Sequence, residues 1–162
     1  MAQINIGIGE WGISGNPDDH LKTFGLGSCV AVIALEPTIR TASLMHVALP
    51  SSDINPEKSI EKPAYFADTA VPMLIKKMAE LGGHPGGTGL IVKLVGGAQV
   101  ADPNQRFNIG KRNILALRKL FWKLRIPIYA EDTGGETSRT VDICVKNGKT
   151  TIISPGGKTW SI

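Results

Sequence analysis

Cys29 and His46 are the residues of this sequence whose types and spacing could carry out covalent chemistry. Cys29 follows a glycine-broken loop, Gly25-Leu26-Gly27-Ser28, and opens onto the apolar run Val30-Ala31-Val32-Ile33-Ala34-Leu35. His46 comes 17 residues later in a second apolar run, Ser43-Leu44-Met45-His46-Val47-Ala48-Leu49. A thiolate is a strong nucleophile, and an adjacent imidazole can take the thiol proton and later pass it to a leaving amine. Main-chain N–H groups at Gly27 and Ser28 would stabilise the oxyanion formed on attack, where losing one donor typically costs roughly 10²–10³ in rate. A cysteine on an apolar strand is also an ordinary small core residue, and a histidine there is often a ring satisfied by main chain. Spacing alone leaves both readings open.

The elements that must position this pair are legible. Val30 to Leu35 is rich in β-branched residues and too short for a typical helix, which predicts a buried strand. Glu36 to Thr41 reads as a turn and Ala42 to Leu49 as the returning strand. In an antiparallel pair, residues whose numbers sum to a constant lie opposite each other. A sum of 75 would set Cys29 directly across from His46, with Cβ atoms about 4.5–5.5 Å apart. A sum of 77 would set them diagonally on one face, and any even sum would put them on opposite faces.

Composition bounds the rest. The chain has 162 residues, 42% of them hydrophobic and 20% charged, with a net charge of +4. That describes one globular domain spanning residues 1–162 rather than a disordered polymer. Two cysteines, and a start whose first charge is Glu10, argue against a secreted disulfide scaffold. No apolar run reaches the roughly 18 residues that span a bilayer. The expectation is a cytoplasmic protein with reduced thiols and no membrane insertion.

Elsewhere the pattern is of short strands and two main helices. Ile4, Ile6 and Ile8 alternate as in a half-buried strand, with a kink at Gly9. Asp18-Asp19-His20 invites a metal reading, but adjacent ligands on one loop without further partners are better read as solvated, so no metal is expected. Pro50 to Lys62 reads as a polar surface loop. Pro63 to Leu81 carries helical periodicity interrupted by Pro72, so the helix either kinks there or begins near Asp68. Leu90 to Val95 reads as a strand followed by Gly96-Gly97-Ala98. Neither phosphate-binding glycine motif is present, so these glycines are expected to permit close packing near the site. Asn108 is placed to cap a helix whose inner stripe is Ile114, Leu117, Phe121 and Leu124. From Arg106 to Arg125 there are seven basic residues and no acidic one. A solvated helix face is the simplest reading; no nucleic-acid module accompanies it, and attraction of an acidic protein partner is an added possibility. Pro127 to Glu131 returns to strand, Asp132 to Gly135 turns, and Arg139–Val145 with Thr150–Ile153 forms a hairpin. The tail from about residue 155 is either mobile or a docking strand. This alternation predicts a layered α/β (α+β) sandwich of mixed and antiparallel strands with two main helices.

Several ordered stretches carry a resemblance. Thr23-Phe24-Gly25-Leu26-Gly27-Ser28-Cys29-Val30-Ala31-Val32 and Met45-His46-Val47-Ala48-Leu49-Pro50 resemble the chemotaxis CheD family, the chemoreceptor glutamine deamidases. Ile6-Gly7-Ile8-Gly9-Glu10, Tyr65 to Val71, Gly96-Gly97-Ala98, Asn108 to Asn113 and Ala130 to Gly135 extend the resemblance, which fades after about Asn147. It implies a cysteine-hydrolase-like fold and a Cys–His–Thr site falling on Cys29, His46 and Thr23. It also implies cofactor-free hydrolysis of glutamine to glutamate on chemoreceptor cytoplasmic helices. The partners implied are the receptor and a CheC-type phosphatase. Two other functions stand beside it: a non-catalytic adaptor for those partners, and a cysteine-dependent glutamyl methylesterase. Release of ammonia or of methanol separates the two enzymes, and loss of catalysis without loss of binding on Cys29→Ala separates both from the adaptor.

Overall fold

The computed structural model describes residues 2–100 and 107–162. In chain order the elements are β1 (Gln3–Asn5), β2 (Trp11–Ser14), β3 (His20–Leu26), β4 (Val30–Glu36), β5 (Thr41–Val47), α1 (Pro56–Glu61) and α2 (Ala67–Glu80). They continue with β6 (Ile91–Gly96), α3 (Ile109–Lys123), β7 (Ile128–Thr133), β8 (Arg139–Cys144), β9 (Thr150–Ile153) and β10 (Thr159–Ser161). The strands form two mixed sheets, one ordered β1-β3-β8-β9-β10 and the other β2-β5-β4-β6-β7. The β1–β3 and β6–β7 pairs are parallel and the remaining pairs antiparallel.

The β4 strand explains the layering. Its side chains alternate between two apolar environments, which is why the sequence there is a continuous apolar run rather than an alternating one. Val30, Val32 and Ala34 join Met45 and Val47 in a core shared with Leu74 and Met78 of α2 and Leu117 and Phe121 of α3. Ala31 and Ile33 join Leu44 in a second core with Leu21, Val141, Ile143 and Ile152 from the other sheet. The molecule is therefore layered sheet, sheet, helices, in keeping with the α/β sandwich the sequence implies. Among the described residues no helix is long and apolar enough to cross a membrane.

Four local expectations change. The alternation through Ile8 ends early: β1 stops at Asn5, and Glu10 closes a turn by accepting from Gly7 N at 2.7 Å and donating its own N–H to Gly7 O at 3.0 Å. Within the loop after Pro50 lies α1, started by Asn55, whose side chain accepts from Lys58 N, with Pro56 as first residue. That asparagine–proline start was a readable signal. The turn after Glu131 begins later than expected, since Asp132 and Thr133 belong to β7. Asn108 does not cap α3. A capping residue needs extended backbone so that its side chain folds over the first turn, whereas Asn108 has φ 48° and its Oδ1 accepts from Gln99 Nε2 at 2.7 Å.

Of the two alternatives at Pro72, the structure has the second. The helix starts at Ala67 and contains Pro72. Its first turn is tied to the segment before it: Asp68 accepts from Ser52 N and Oγ at 2.8 and 2.7 Å, and Thr69 Oγ1 donates to Pro63 O. The tail forms β10 against β9, with Trp160 opposite Ile152. Trp160 Nε1 donates to Asp132, and Lys93 Nζ donates to Ile162 O at 2.7 Å.

Candidate active site

The β4–β5 register sum is 77, with Val30 opposite Val47 and Ala31 opposite His46. Continued by one residue, this register sets Cys29 across from Ala48. Cys29 and His46 are thus diagonal neighbours on one face, the geometry in which Cβ atoms lie about 7–8 Å apart or somewhat less. That face looks toward the other sheet, and β3 of that sheet delivers Thr23 to it.

Thr23 and His46 meet there. Thr23 Oγ1 lies 2.7 Å from His46 Nδ1, and the same hydroxyl donates to Ile6 O at 2.7 Å. A hydroxyl has a single proton to donate. Since that proton goes to Ile6 O, the bond to His46 runs the other way, with Nδ1–H donating to Thr23. The neutral ring therefore keeps its lone pair on Nε2, which is buried and has no partner among the described residues. The backbone of His46 is also held: its N–H donates to Glu10 O at 3.0 Å and Gly9 N–H donates to His46 O at 2.8 Å.

Burial governs the charges. His46 is 3% exposed, and desolvation lowers its pKa to about 4, with the Glu10 carboxylate pulling weakly the other way. Burial also raises the Cys29 thiol above its ordinary value, offset in part by its own main-chain N–H. At neutral pH the resting pair is a thiol and an imidazole rather than a preformed ion pair. Proton transfer then has to accompany attack on a substrate.

The loop carrying Cys29 is held by its carbonyls. Gly27 O accepts from Ala98 N at 2.8 Å, Cys29 O from Gly97 N at 2.9 Å, and Ser28 O from Asn113 Nδ2 at 3.0 Å. The N–H groups of Gly27 and Ser28 donate no main-chain hydrogen bond among the described residues. A Cβ on Gly25 or Gly27 would meet nothing within 4 Å, so the backbone here faces open space. A cavity of about 240 Å³ opens beside it, lined by Gly27, Ser28, Ala98, Gln99, Phe107 and Gly110 among others. A larger one, about 390 Å³, lies between α3 and the Gly134–Gly135 turn, and neither cavity is lined by Thr23, Cys29 or His46.

Of the five residues singled out from sequence, Thr23 and His46 are in direct contact, and the strand register sets Cys29, preceded by Gly27 and Ser28, on the face that His46 shares. The Gly96-Gly97-Ala98 segment packs against the site as the sequence led one to expect, whereas sequence reasoning passed over Asn113. Gly96 sits so close to the loop that a Cβ would fall 2.4 Å from Cys29 O. Gly97 and Ala98 supply two of the loop's three carbonyl contacts. Asn113, wholly buried on α3, supplies the third.

The other candidates fall elsewhere. His20 Nδ1 lies 2.7 Å from Asp142 Oδ1 and Asp19 accepts from Ser14 Oγ at 2.7 Å, so these two members of the Asp-Asp-His run have separate partners. Lys111, Arg112, Lys119 and Lys123 are on the exposed side of α3, while Arg118 chelates Glu131 through Nε and Nη2. Arg106, the first of that basic run, lies outside the described residues. Cys144 is free, half-buried and opposite His20 on the outer sheet.

Comparison with known proteins identifies the family. A family model described as CheD chemotactic sensory transduction matches residues 48–154. A protein of Syntrophotalea carbinolica named probable chemoreceptor glutamine deamidase CheD is 49% identical over 162 residues, covering 100% of both chains. This chain belongs to the CheD family. The probable chemoreceptor glutamine deamidase CheD 1 of Syntrophus aciditrophicus is 39% identical over 157 residues, 97% of each chain. The chemoreceptor glutamine deamidase CheD of Thermotoga maritima is 37% identical over 152 residues, 94% of this chain and 92% of that one. The CheD model match begins after Thr23, Cys29 and His46, whereas the full-length match to the Syntrophotalea protein spans them.

Proposed function

We propose that this chain is a chemoreceptor glutamine deamidase in which Cys29 is the nucleophile, His46 the general base and acid, and Thr23 the residue that orients His46. The observation that carries this reading is the direction of the Thr23 hydrogen bonds. The single hydroxyl proton goes to Ile6 O, so Nδ1 keeps its own proton and Nε2 is left as a base on the face shared with Cys29.

The reaction follows from the groups present. A glutamine carboxamide enters beside the Gly27–Ser28 loop, and His46 Nε2 removes the thiol proton as sulfur attacks the carbonyl carbon. The oxyanion is stabilised by loop N–H groups that have no main-chain acceptor among the described residues. Collapse expels ammonia carrying the proton from His46 and leaves a thioester. Water, deprotonated by the same nitrogen, then attacks the thioester; sulfur recovers a proton and glutamate is released. The sum is glutamine plus water giving glutamate plus ammonia. The chain acts as one domain in the cytoplasm, where the receptor's signalling helices lie, and each turnover adds one negative charge to a helix.

The test is product analysis with a chemoreceptor cytoplasmic fragment. The proposal expects one ammonia released per glutamate formed. Methanol without ammonia would make the protein a glutamyl methylesterase. A stable complex with the receptor or a CheC-type phosphatase, and no chemistry, would make it an adaptor.

A further inference from the structure

We propose that Asn113 is a positioning residue: its carboxamide holds the nucleophile loop to the end of the histidine strand and so sets the separation of Cys29 and His46. The inference rests on the catalytic reading above. Asn113 Nδ2 donates to Ser28 O and to Ala48 O, both at 3.0 Å. Ser28 immediately precedes Cys29, and Ala48 is the residue the β4–β5 register sets opposite Cys29. The strand ladder ends one step earlier, at Val30 and Val47, and Ala48 N–H is turned away to Tyr65 O at 2.9 Å. Both protons of one side-chain amide therefore make the rung that the two backbones do not make for themselves.

The surrounding sequence is built to deliver that amide. Asn113 lies on the buried stripe of α3 between Gly110, Ile114 and Leu117, where an apolar residue would ordinarily sit. The helix start comes so close to the Gly97–Ala98 segment that a Cβ on Gly110 would fall 2.5 Å from Gly97 O and 2.8 Å from Ala98 O. Asn113 Oδ1 is buried and has no partner among the described residues. An unpaired buried acceptor is a cost that an apolar side chain would avoid, and such exceptions concentrate where a fold serves a site. Both Nδ2 protons are committed, so the orientation of the amide is fixed.

Asn113→Ala and Asn113→Leu test this in the full chain. Alanine leaves a cavity and leucine fills it, but both remove the donor pair. A misplacement of about 1 Å in a reacting group can cost about 10²-fold, so kcat on the receptor fragment should fall about 10–100-fold in both variants with KM changed less than about 3-fold. Without substrate, the pH profile of iodoacetamide alkylation at Cys29, read by peptide mass, should move toward that of an ordinary exposed cysteine while Cys144 is unchanged. A packing role alone predicts that leucine restores kcat. Wild-type kcat and Cys29 profile in either folded variant would overturn the proposal. If neither variant folds, Gly110→Ala gives the decision, because it pushes α3 away with Asn113 intact and should lower kcat in the same way; wild-type kcat there contradicts the proposal. Cys29→Ala is run alongside. If it still deamidates, the catalytic reading fails; if it is inactive while the Asn113 variants are fully active, only the positioning role fails.

Discussion

Thr23→Val is the sharpest test of how the imidazole is set. Valine keeps the shape of threonine but removes the hydroxyl that accepts from His46 Nδ1–H and donates to Ile6 O, both at 2.7 Å. Thr23 is fully buried, so neither group can turn to water in its place. Leaving a buried polar group unpaired costs about 1–3 kcal/mol. Of that order, about 1–2 kcal/mol bears on the choice between the two neutral tautomers, which corresponds to about 5–30-fold fewer molecules with the Nε2 lone pair facing Cys29. The expected result is therefore a fall of about 5–30-fold in kcat, with KM nearly unchanged, since no substrate contact is lost. Ammonia release from a receptor fragment measures this, and Thr23→Ser should restore most of the rate because it restores the hydroxyl. The melting temperature should also drop, by about 2–4 °C for each kcal/mol lost in a chain of this size. A folded Thr23→Val protein with wild-type kcat would refute the argument, because Nε2 would then need no help from Thr23 to act as the base.

Other outcomes follow from the same geometry. The folded pKa of His46, about 4, lies below its ordinary 6.5, so between those values the unfolded chain holds a proton that the folded chain does not. Stability should thus rise with pH across that window and be lost as pH falls from about 6.5 to 4, by on the order of 3 kcal/mol. Urea titrations from pH 7 to 4 measure this slope, and His46→Gln should flatten it; an equally steep slope in the variant would contradict the assignment. The acid limb of kcat/KM should sit near pH 4 rather than 6.5, because His46 is a base only when neutral. Gly96→Ala would place a Cβ 2.4 Å from Cys29 O at a residue with φ 118°. Overpacking of this kind costs about 1–3 kcal/mol, so the melting temperature should fall and Cys29 alkylation should change with it. An unchanged melt would show that the loop has room the structure does not give it.

The strand pair that presents Cys29 and His46 was readable because its apolar runs and intervening turn are local. Its register was not readable: odd sums would put the pair on one face and even sums on opposite faces, and the strands pair at 77. Thr23 was not readable from spacing: its partner is 23 residues away and on the other sheet, so only resemblance pointed to it. Asn113 was passed over for a related reason. An asparagine within an amphipathic stripe reads as a polar interruption until the carbonyls of Ser28 and Ala48 are seen to converge on it from 85 and 65 residues away. Asn108 misled in the opposite direction, since its residue type suits a helix cap while its left-handed backbone does not. Charge, too, was read only in part. The basic run on α3 suggested a solvated face, yet Arg118 is committed to Glu131. In each case local propensity was sound, and what it lacked was the distant partner.

The chemistry of Cys29 is tested most directly by the mass of a chemoreceptor cytoplasmic fragment after incubation with wild-type protein and with Cys29→Ala, followed by peptide sequencing of the shifted species. Conversion of amide to acid at a thiolate site predicts a gain of about 1 Da per modified glutamine with the wild type and none with the variant. Shifts produced equally by Cys29→Ala would remove Cys29 from the chemistry and contradict the account.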